Sequence, residues 1–169
     1  MNQILESLLF EPEAGRLSLQ QIRYFLVRPS MLVELQKALE TYLPAEAGSL
    51  LSGAAQNEGI VLASRLKEVF GYSGEEVLRS LCFLLQETGW GVVKLEMVNL
   101  ENRELMFGAT QSPFAEEYGP AVQPVCHVLL GLLNGAAIGL FESEVEGMEV
   151  QCQARGDSSC RFVVTGKVA

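Results

Sequence analysis

The distribution of cysteine in the last third of the chain constrains the fold more than any other sequence feature. Cys152 and Cys160 flank the residues 155–159, Arg-Gly-Asp-Ser-Ser, which favour a turn, so we expect a hairpin that holds the two thiols close together. Cys126 stands near the start of the apolar segment 121–141, which predicts a long helix. That helix must pack on the hairpin to bury its apolar face, and the fold is therefore expected to bring the three thiols together.

Glu149 lies three residues before Cys152 and can add a carboxylate to the same cluster. Thiolate sulfur and carboxylate oxygen are both ligands of zinc, and a shell of four protein ligands is typical of a structural site. There is a geometric condition, because residues three apart on a regular strand point to opposite faces. The strand must therefore be bulged or bent between Glu149 and Cys152 if the two are to share a metal ion.

Other roles of the cysteines stay open at this level. Cys152 and Cys160 can form a redox-active disulfide across the turn, or the thiols can be buried without a shared role. Cys82 can replace Glu149 as the fourth ligand. However, Cys82 falls on the apolar face of a predicted helix, where a free cysteine usually acts as a small buried hydrophobic residue.

The rest of the chain alternates between helix and strand patterns and predicts one α+β domain over residues 1–169. We expect strands at 22–28, 90–98, 103–110, 148–154 and 161–165, and helices at 31–42, 46–70, about 74–88, 113–118 and 121–141. Ser30 is expected to cap the first helix, and Ser73 with Glu76 fits a capping box for the third. The segment 57–59 is expected to interrupt the second helix.

The C-terminal motif resembles the signature of the 4-vinyl reductase domain family. Pro124-Val125-Cys126 opens the small-residue-rich helix, and the segment 149–162 reads E-V-Q-C-Q-A-R-G-D-S-S-C-R-F. The resemblance implies an antiparallel sheet packed with helices, a fold similar to that of the TRAPP vesicle-tethering subunits, and a homodimer. It also implies zinc bound by Cys126, Glu149, Cys152 and Cys160, with the binding signature at 124–165.

The family includes sensor domains of phenol- and xylene-responsive activators, so the resemblance also implies a hydrophobic or aromatic ligand. Those sensors carry a tryptophan where this chain has Leu105-Met106-Phe107, so we do not expect phenol specificity. A cavity is expected between the central strands and the helices at 77–85 and 126–140. The candidate ligand-binding residues are Trp90, Met97, Met106, Phe107, Phe114 and Tyr118.

Two further features of the long helix allow alternative interpretations. His127, the single histidine, has no serine or second acid placed with it to form a catalytic set, so we predict a packing or polar-contact role and no catalytic residue. Gly131, Gly135 and Gly139 form one smooth helix face. This face is expected to pack closely within the chain, and a dimer interface is the alternative.

Charge and composition exclude some classes of function. The formal net charge is −9 and no basic run occurs, which disfavours nucleic-acid binding. The N-terminus lacks a basic segment followed by an apolar run, and the segment 125–141 is too short to span a bilayer, so we expect a cytoplasmic protein without membrane insertion. The leading hypothesis is a stand-alone zinc-binding sensor or carrier. The alternatives are a dimeric interaction module without a ligand, and an accessory factor or reductase in bacteriochlorophyll tetrapyrrole biosynthesis.

Overall fold

The computed structural model describes residues 3–19 and 22–167. The helices and strands follow one another as α1 Gln3–Glu6, β1 Leu9–Glu11, β2 Arg16–Leu19, β3 Ile22–Tyr24, α2 Pro29–Tyr42, α3 Ala47–Phe70, α4 Glu75–Glu87, β4 Val92–Asn99, β5 Glu104–Thr110, α5 Pro113–Tyr118, α6 His127–Phe141, β6 Val145–Gln151 and β7 Cys160–Gly166. The α+β prediction with an antiparallel sheet is therefore confirmed.

A four-stranded antiparallel sheet forms one layer of the protein, in the order β4-β5-β7-β6. Side chains alternate between its two faces. The inner face carries Leu105 and Phe107 of β5 beside Phe162 and Val164 of β7, and all four are fully buried. This face packs on α4 and α6 and forms most of the core.

The small residues of α6 serve packing within the chain. A Cβ atom added to Gly135 would overlap the carbonyl oxygen of Gln56 and lie 2.8 Å from Cα of Gly59. Gly131 and Gly139 meet α3 in the same way, at Ala55 and Ala63. The backbones of α3 and α6 are therefore in direct contact, and the glycine face is not free to form a dimer interface.

The N-terminal region forms a separate three-stranded antiparallel sheet, β1-β2-β3, which was not predicted apart from β3. The predicted strand at 22–28 is shorter than expected and ends at Tyr24. Together with α1, these strands form an N-terminal arm, residues 3–19 and 22–28, which covers one end of the helical layer.

Several predicted helix boundaries were wrong for local reasons. Helix α2 begins at Pro29, because proline is well suited to the first helical position, and Ser30 does not cap it. Helix α3 continues through 57–59, where Gly59 is needed for the contact with α6. Helix α6 begins only at His127. The Ser73–Glu76 pair forms half of a capping box, since the backbone N–H of Ser73 donates to Glu76 Oε2 at 3.4 Å.

Candidate functional site

Three chain segments converge at one corner of the molecule and carry the predicted metal ligands. Cys126 is the residue immediately before α6, Cys152 follows β6, and Cys160 begins β7. A 3-10 turn at Gln153–Arg155 and the left-handed Gly156 reverse the chain between the two strands. The expected hairpin therefore brings Cys152 and Cys160 to the end of α6.

The strand β6 contains the irregularity that the cluster requires. Glu149 pairs with Phe162 and Gln151 pairs with Arg161, so the register shifts by one residue between Glu149 and Gln151. Two residues of β6 thus oppose one step of β7, which is a β-bulge. Because of the bulge, Glu149 and Cys152 point to the same, inner side of the sheet.

The four side chains form a compact buried cluster. One ligand atom from each of Cys126, Glu149, Cys152 and Cys160 lies within 4.8 Å of all the others. The Sγ atoms of Cys126 and Cys160 are 3.6 Å apart. Two zinc–sulfur bonds of about 2.3 Å at a tetrahedral angle separate their sulfur atoms by about 3.8 Å, so this spacing fits a shared zinc ion.

The carboxylate of Glu149 is held with one oxygen ready to act as a ligand. Its side chain is 6 % exposed, and Oε2 accepts the backbone N–H of Cys126 at 2.9 Å. The other oxygen, Oε1, is buried and has no hydrogen-bond partner among the described residues. A buried oxygen without a partner costs free energy, and a cation at the centre of the cluster would remove that cost.

Backbone and side-chain hydrogen bonds orient the thiols. The backbone N–H of Gln153 donates to Cys160 Sγ at 3.3 Å, and the hydroxyl of Ser112 lies 3.3 Å from Cys126 Sγ. Asp157 of the turn accepts the backbone N–H of Cys152 at 2.8 Å. Such outer contacts hold ligands in place, so the turn residues 153–157 have a structural role at this centre.

The ionisation of these groups shows why the cluster suits a cation. Burial, followed by the hydrogen bond to Cys152, raises the pKa of Glu149 to about 8. Hydrogen bonds to Cys152 and Cys160 raise the pKa of Cys126, and hydrogen bonds to Cys126 and Cys160 lower the pKa of Cys152. Without a cation the cluster therefore favours a thiolate on Cys152, stabilised by its neighbours, and disfavours further negative charge. A divalent ion would allow all four groups to be deprotonated.

Cys82 is not part of the cluster. It lies on the buried face of α4 among core residues, and burial raises its pKa to about 12. Such a thiol is a poor nucleophile and metal ligand. All four cysteines are free thiols in the structure.

An apolar cavity of about 460 Å³ lies beneath the N-terminal arm. Its lining residues come from the arm and α2 (Ile4, Leu5, Leu8, Leu17, Leu19, Tyr24, Phe25, Leu26, Val27, Pro29, Leu32), from α3 and α4 (Ala55, Glu58, Leu62, Leu84, Leu85, Thr88), and from the segments around α5 and α6 (Gly89, Trp90, Pro113, Phe114, Val128, Leu132). This volume is within the range of small-molecule sites.

The structure separates the six predicted ligand-binding residues into three groups. Trp90 and Phe114 line the cavity, with ring centroids 5.4 Å apart. Phe107 is fully buried in the core, while Met97 and Met106 are cross-strand partners on the outer face of the sheet. None of the described residues lining the cavity belongs to the four-stranded sheet. The expected position between sheet and helices was therefore wrong, because Leu105, Phe107 and Phe162 fill that space.

The arm residues of the cavity wall were missed in the sequence. The alternation of Leu17 and Leu19 around a polar residue is typical of a half-buried strand, and this signal would have found β2. Nothing in the sequence indicates which helices the arm covers. Ser112, which contacts the cluster, was also missed, since its position follows from the tertiary fold.

Tyr118 lies apart from this cavity, at a second and more open groove of about 890 Å³ that also borders His127 and Glu149. The Tyr118 hydroxyl donates to Glu40 Oε2 at 2.6 Å, and this bond raises the pKa of Tyr118 to about 12. The ring of His127 packs against Gly48, where an added Cβ atom would come within 2.9 Å of it. This contact agrees with the predicted packing role of His127.

Two short covalent paths join the metal cluster to the apolar cavity. Cys126 is the N-cap residue of α6, and Val128 and Leu132 of the same helix line the cavity. Ser112 contacts Cys126 and also caps α5, where its hydroxyl accepts the backbone N–H of Ala115 at 3.5 Å. Phe114, within α5, lines the cavity. A displacement at the cluster would therefore move two walls of the cavity.

Comparison with known proteins confirms the resemblance described above. Residues 107–166, which include all four predicted ligands, match the model of the 4-vinyl reductase domain family. No curated protein matches the chain in sequence.

Solved structures share the fold at low sequence identity. The phenol-responsive sensory domain of the transcription activator PoxR, solved with phenol, is 21 % identical with a TM-score of 0.82, over 96 % of this chain and 86 % of that one. A vinyl-4-reductase family protein from Methanocaldococcus jannaschii is 16 % identical, with a TM-score of 0.61 over 86 % and 84 % of the chains. A trafficking protein particle complex subunit 3 from Naegleria fowleri, covalently bound to palmitic acid, is 13 % identical, with a TM-score of 0.56 over 83 % and 95 %.

Within the described residues, no helix has both the length and the apolar character needed to cross a membrane. The most apolar one, α6, comprises 15 residues and is enclosed by α3 and the sheet.

Proposed function

We propose that this protein is a single-domain sensor or carrier that binds a small apolar or aromatic molecule and is held together by a structural zinc ion. The match to the 4-vinyl reductase domain family and the fold shared with a phenol-responsive sensory domain support small-molecule sensing. The observation that carries the proposal is the direct connection, through α5 and α6, between a cluster of metal-ligand type and an apolar cavity.

In this proposal Cys126, Glu149, Cys152 and Cys160 hold the zinc ion. Three thiolates and one carboxylate suit zinc, and four protein ligands leave no position for a reactive water molecule. The ion supplies a cross-link between α6 and the β6–β7 hairpin. Since zinc binding requires reduced thiols, we also propose the cytoplasm as its location.

Metal analysis of paired cysteine variants tests the zinc site. We expect the purified protein to contain one zinc ion per chain, and Cys160→Ser to lose most of it together with thermal stability. Cys82→Ser is the matched control, since it alters a buried thiol outside the cluster and should retain the metal. Equal zinc content in both variants would contradict the assignment.

The charges around the cavity restrict the class of ligand. Among the described residues that line it, Glu58 is the single charged one, and no lysine, arginine or histidine is present. Burying an anionic ligand without a cationic partner is costly. The cavity therefore favours a neutral ligand, or one whose hydrogen-bond donor reaches Glu58 at the rim.

The single tryptophan of the chain, Trp90, lines the cavity and provides a direct probe of binding. We expect its fluorescence to change on titration with 1-decanol or a para-alkylphenol, and to respond at least tenfold more weakly to decanoate, which has the same chain length but a negative charge. A response to decanoate equal to that of decanol would refute the proposed ligand class. The absence of any response would favour an interaction module without a ligand.

We further propose that the protein is a homodimer, as its resemblance to the family implies. The α6 glycine face is enclosed by α3, so another surface must carry the contact.

A further inference from the structure

The outer face of the four-stranded sheet carries a continuous apolar row. Cross-strand pairing places four residues side by side, one from each of β4, β5, β7 and β6, namely Met97, Met106, Val163 and Met148. They include three of the five methionines of the chain. Met148 is 60 % exposed and Met97 38 % exposed, and the two central residues are half-buried. A solvated sheet face normally presents polar side chains, so this row is suited to contact with another protein surface.

Rows of opposite charge border the apolar row. Pairing on one side places Lys94, Gly108, Arg161 and Gln151 in line, and on the other side Asn99, Glu104, Thr165 and Glu146. Glu96, at the bulge of β4, lies over Gly108 and forms an ion pair with Arg161 at 2.9 Å. With Glu96 included, the first row has a net charge of +1, and the second row has a net charge of −2 from Glu104 and Glu146.

We propose that this face binds the same face of a second copy of the chain, about a twofold axis parallel to the apolar row. The inference rests on the homodimer in the proposed function and identifies its surface. An axis in this direction reverses the strands and preserves their order across the interface. Each basic row then covers the acidic row of the partner, and the apolar row covers itself.

The charges select both the partner and its orientation. A twofold axis parallel to the strands would instead place Lys94 over the basic row of the partner and Glu104 over its acidic row. Like charges facing each other across an interface are unfavourable. The arrangement with opposite rows in contact is isologous, so every favourable contact occurs twice.

The size of the face predicts a weak dimer. Four strands spaced about 4.8 Å apart, with three rows about 7 Å apart, give a contact of about 400 Å² per copy. Stable interfaces bury about 800 Å² per partner, so we expect association only at high protein concentration, on the order of 10 µM to 1 mM.

Sedimentation velocity over this concentration range tests the apolar row. We expect the wild-type protein to dimerise, more strongly at low salt, and Met148→Glu to raise the dissociation constant at least tenfold. Met31→Glu on α2 is the matched control, because Met31 is exposed to a similar degree, 65 %, and lies away from the sheet. Circular dichroism verifies that both variants remain folded.

A charge-reversal pair tests the orientation. Lys94→Glu and Glu104→Lys should each raise the dissociation constant about tenfold, since both residues are exposed and each variant places like charges together. An equimolar mixture of the two variants should recover the wild-type affinity, because both charge contacts in the mixed dimer are then of opposite sign.

The outcomes separate this inference from the proposed function. A dimer that survives Met148→Glu would overturn the proposed face and leave the homodimer intact. Failure of the mixed variants to recover affinity would overturn the orientation. A wild-type protein that stays monomeric throughout the concentration range would overturn both the face and the homodimer, and the metal and ligand assignments would be unaffected.

Discussion

Gly135→Ala offers a direct test of the backbone contact that fixes α6, the helix that connects the cluster to the cavity. The added Cβ atom would overlap the carbonyl oxygen of Gln56 and lie 2.8 Å from Cα of Gly59. Both neighbours are backbone atoms and cannot rotate away. Carbon atoms in contact lie about 3.5–4.0 Å apart, so α3 and α6 must separate by about 1 Å at this point.

The expected loss of stability follows from two opposing effects. Replacing glycine by alanine inside a helix is favourable by about 1 kcal/mol. Overpacking of a close contact costs about 1–3 kcal/mol and more where backbone must move, and we expect a net destabilisation of about 2–3 kcal/mol for Gly135→Ala. For a protein of this size each kcal/mol lowers the melting temperature by about 2–4 °C, so the expected decrease is about 4–12 °C.

Gly53→Ala provides the control within α3. No atom lies within 4 Å of the Cβ position of Gly53, so only the favourable helix effect remains. We expect a rise in melting temperature of about 2 °C for a gain of up to about 1 kcal/mol. The assay is thermal unfolding followed by circular dichroism, with zinc in constant excess, since metal binding also shifts the transition. Equal melting temperatures for the two variants would refute the close contact of α3 and α6.

Three further predictions concern the cluster and the cavity. The pKa of Glu149 is raised from 4.5 to about 8 in the folded protein, so the folded state binds the extra proton between these values and the chelated protein should lose stability as pH rises from about 5 to 8; urea unfolding in EDTA measures this, and a curve rising with pH would contradict it. Ser112→Ala removes the cap of α5 and should cost about 1–2 kcal/mol in the same assay while zinc remains bound; no loss of stability would argue against the capping role. Leu62→Phe should weaken decanol binding at least tenfold by filling the cavity, whereas Val61→Phe on the exposed neighbouring position should not; equal affinities would place the ligand elsewhere.

The sequence by itself determined the local elements and the identity of the candidate ligands. Turn-forming residues between Cys152 and Cys160 predicted the chain reversal, and the motif resemblance assigned Cys126 and Glu149 to the same cluster. Helix α5 was predicted with the boundaries that the structure shows, since Ser112 followed by Pro113 is a strong local start signal. Such signals depend on neighbouring residues, and they can therefore be read without the fold.

Only the tertiary structure decided how these elements meet. The bulge of β6 depends on its pairing with β7, and no residue type announces it, yet it turns Glu149 towards Cys152. The cavity depends on where the N-terminal arm covers the helices, a long-range contact that hydrophobic periodicity does not specify. The core took Phe107 and left Met97 on the outer face, because strand register, and not side-chain type, assigns each apolar residue to a face of the sheet.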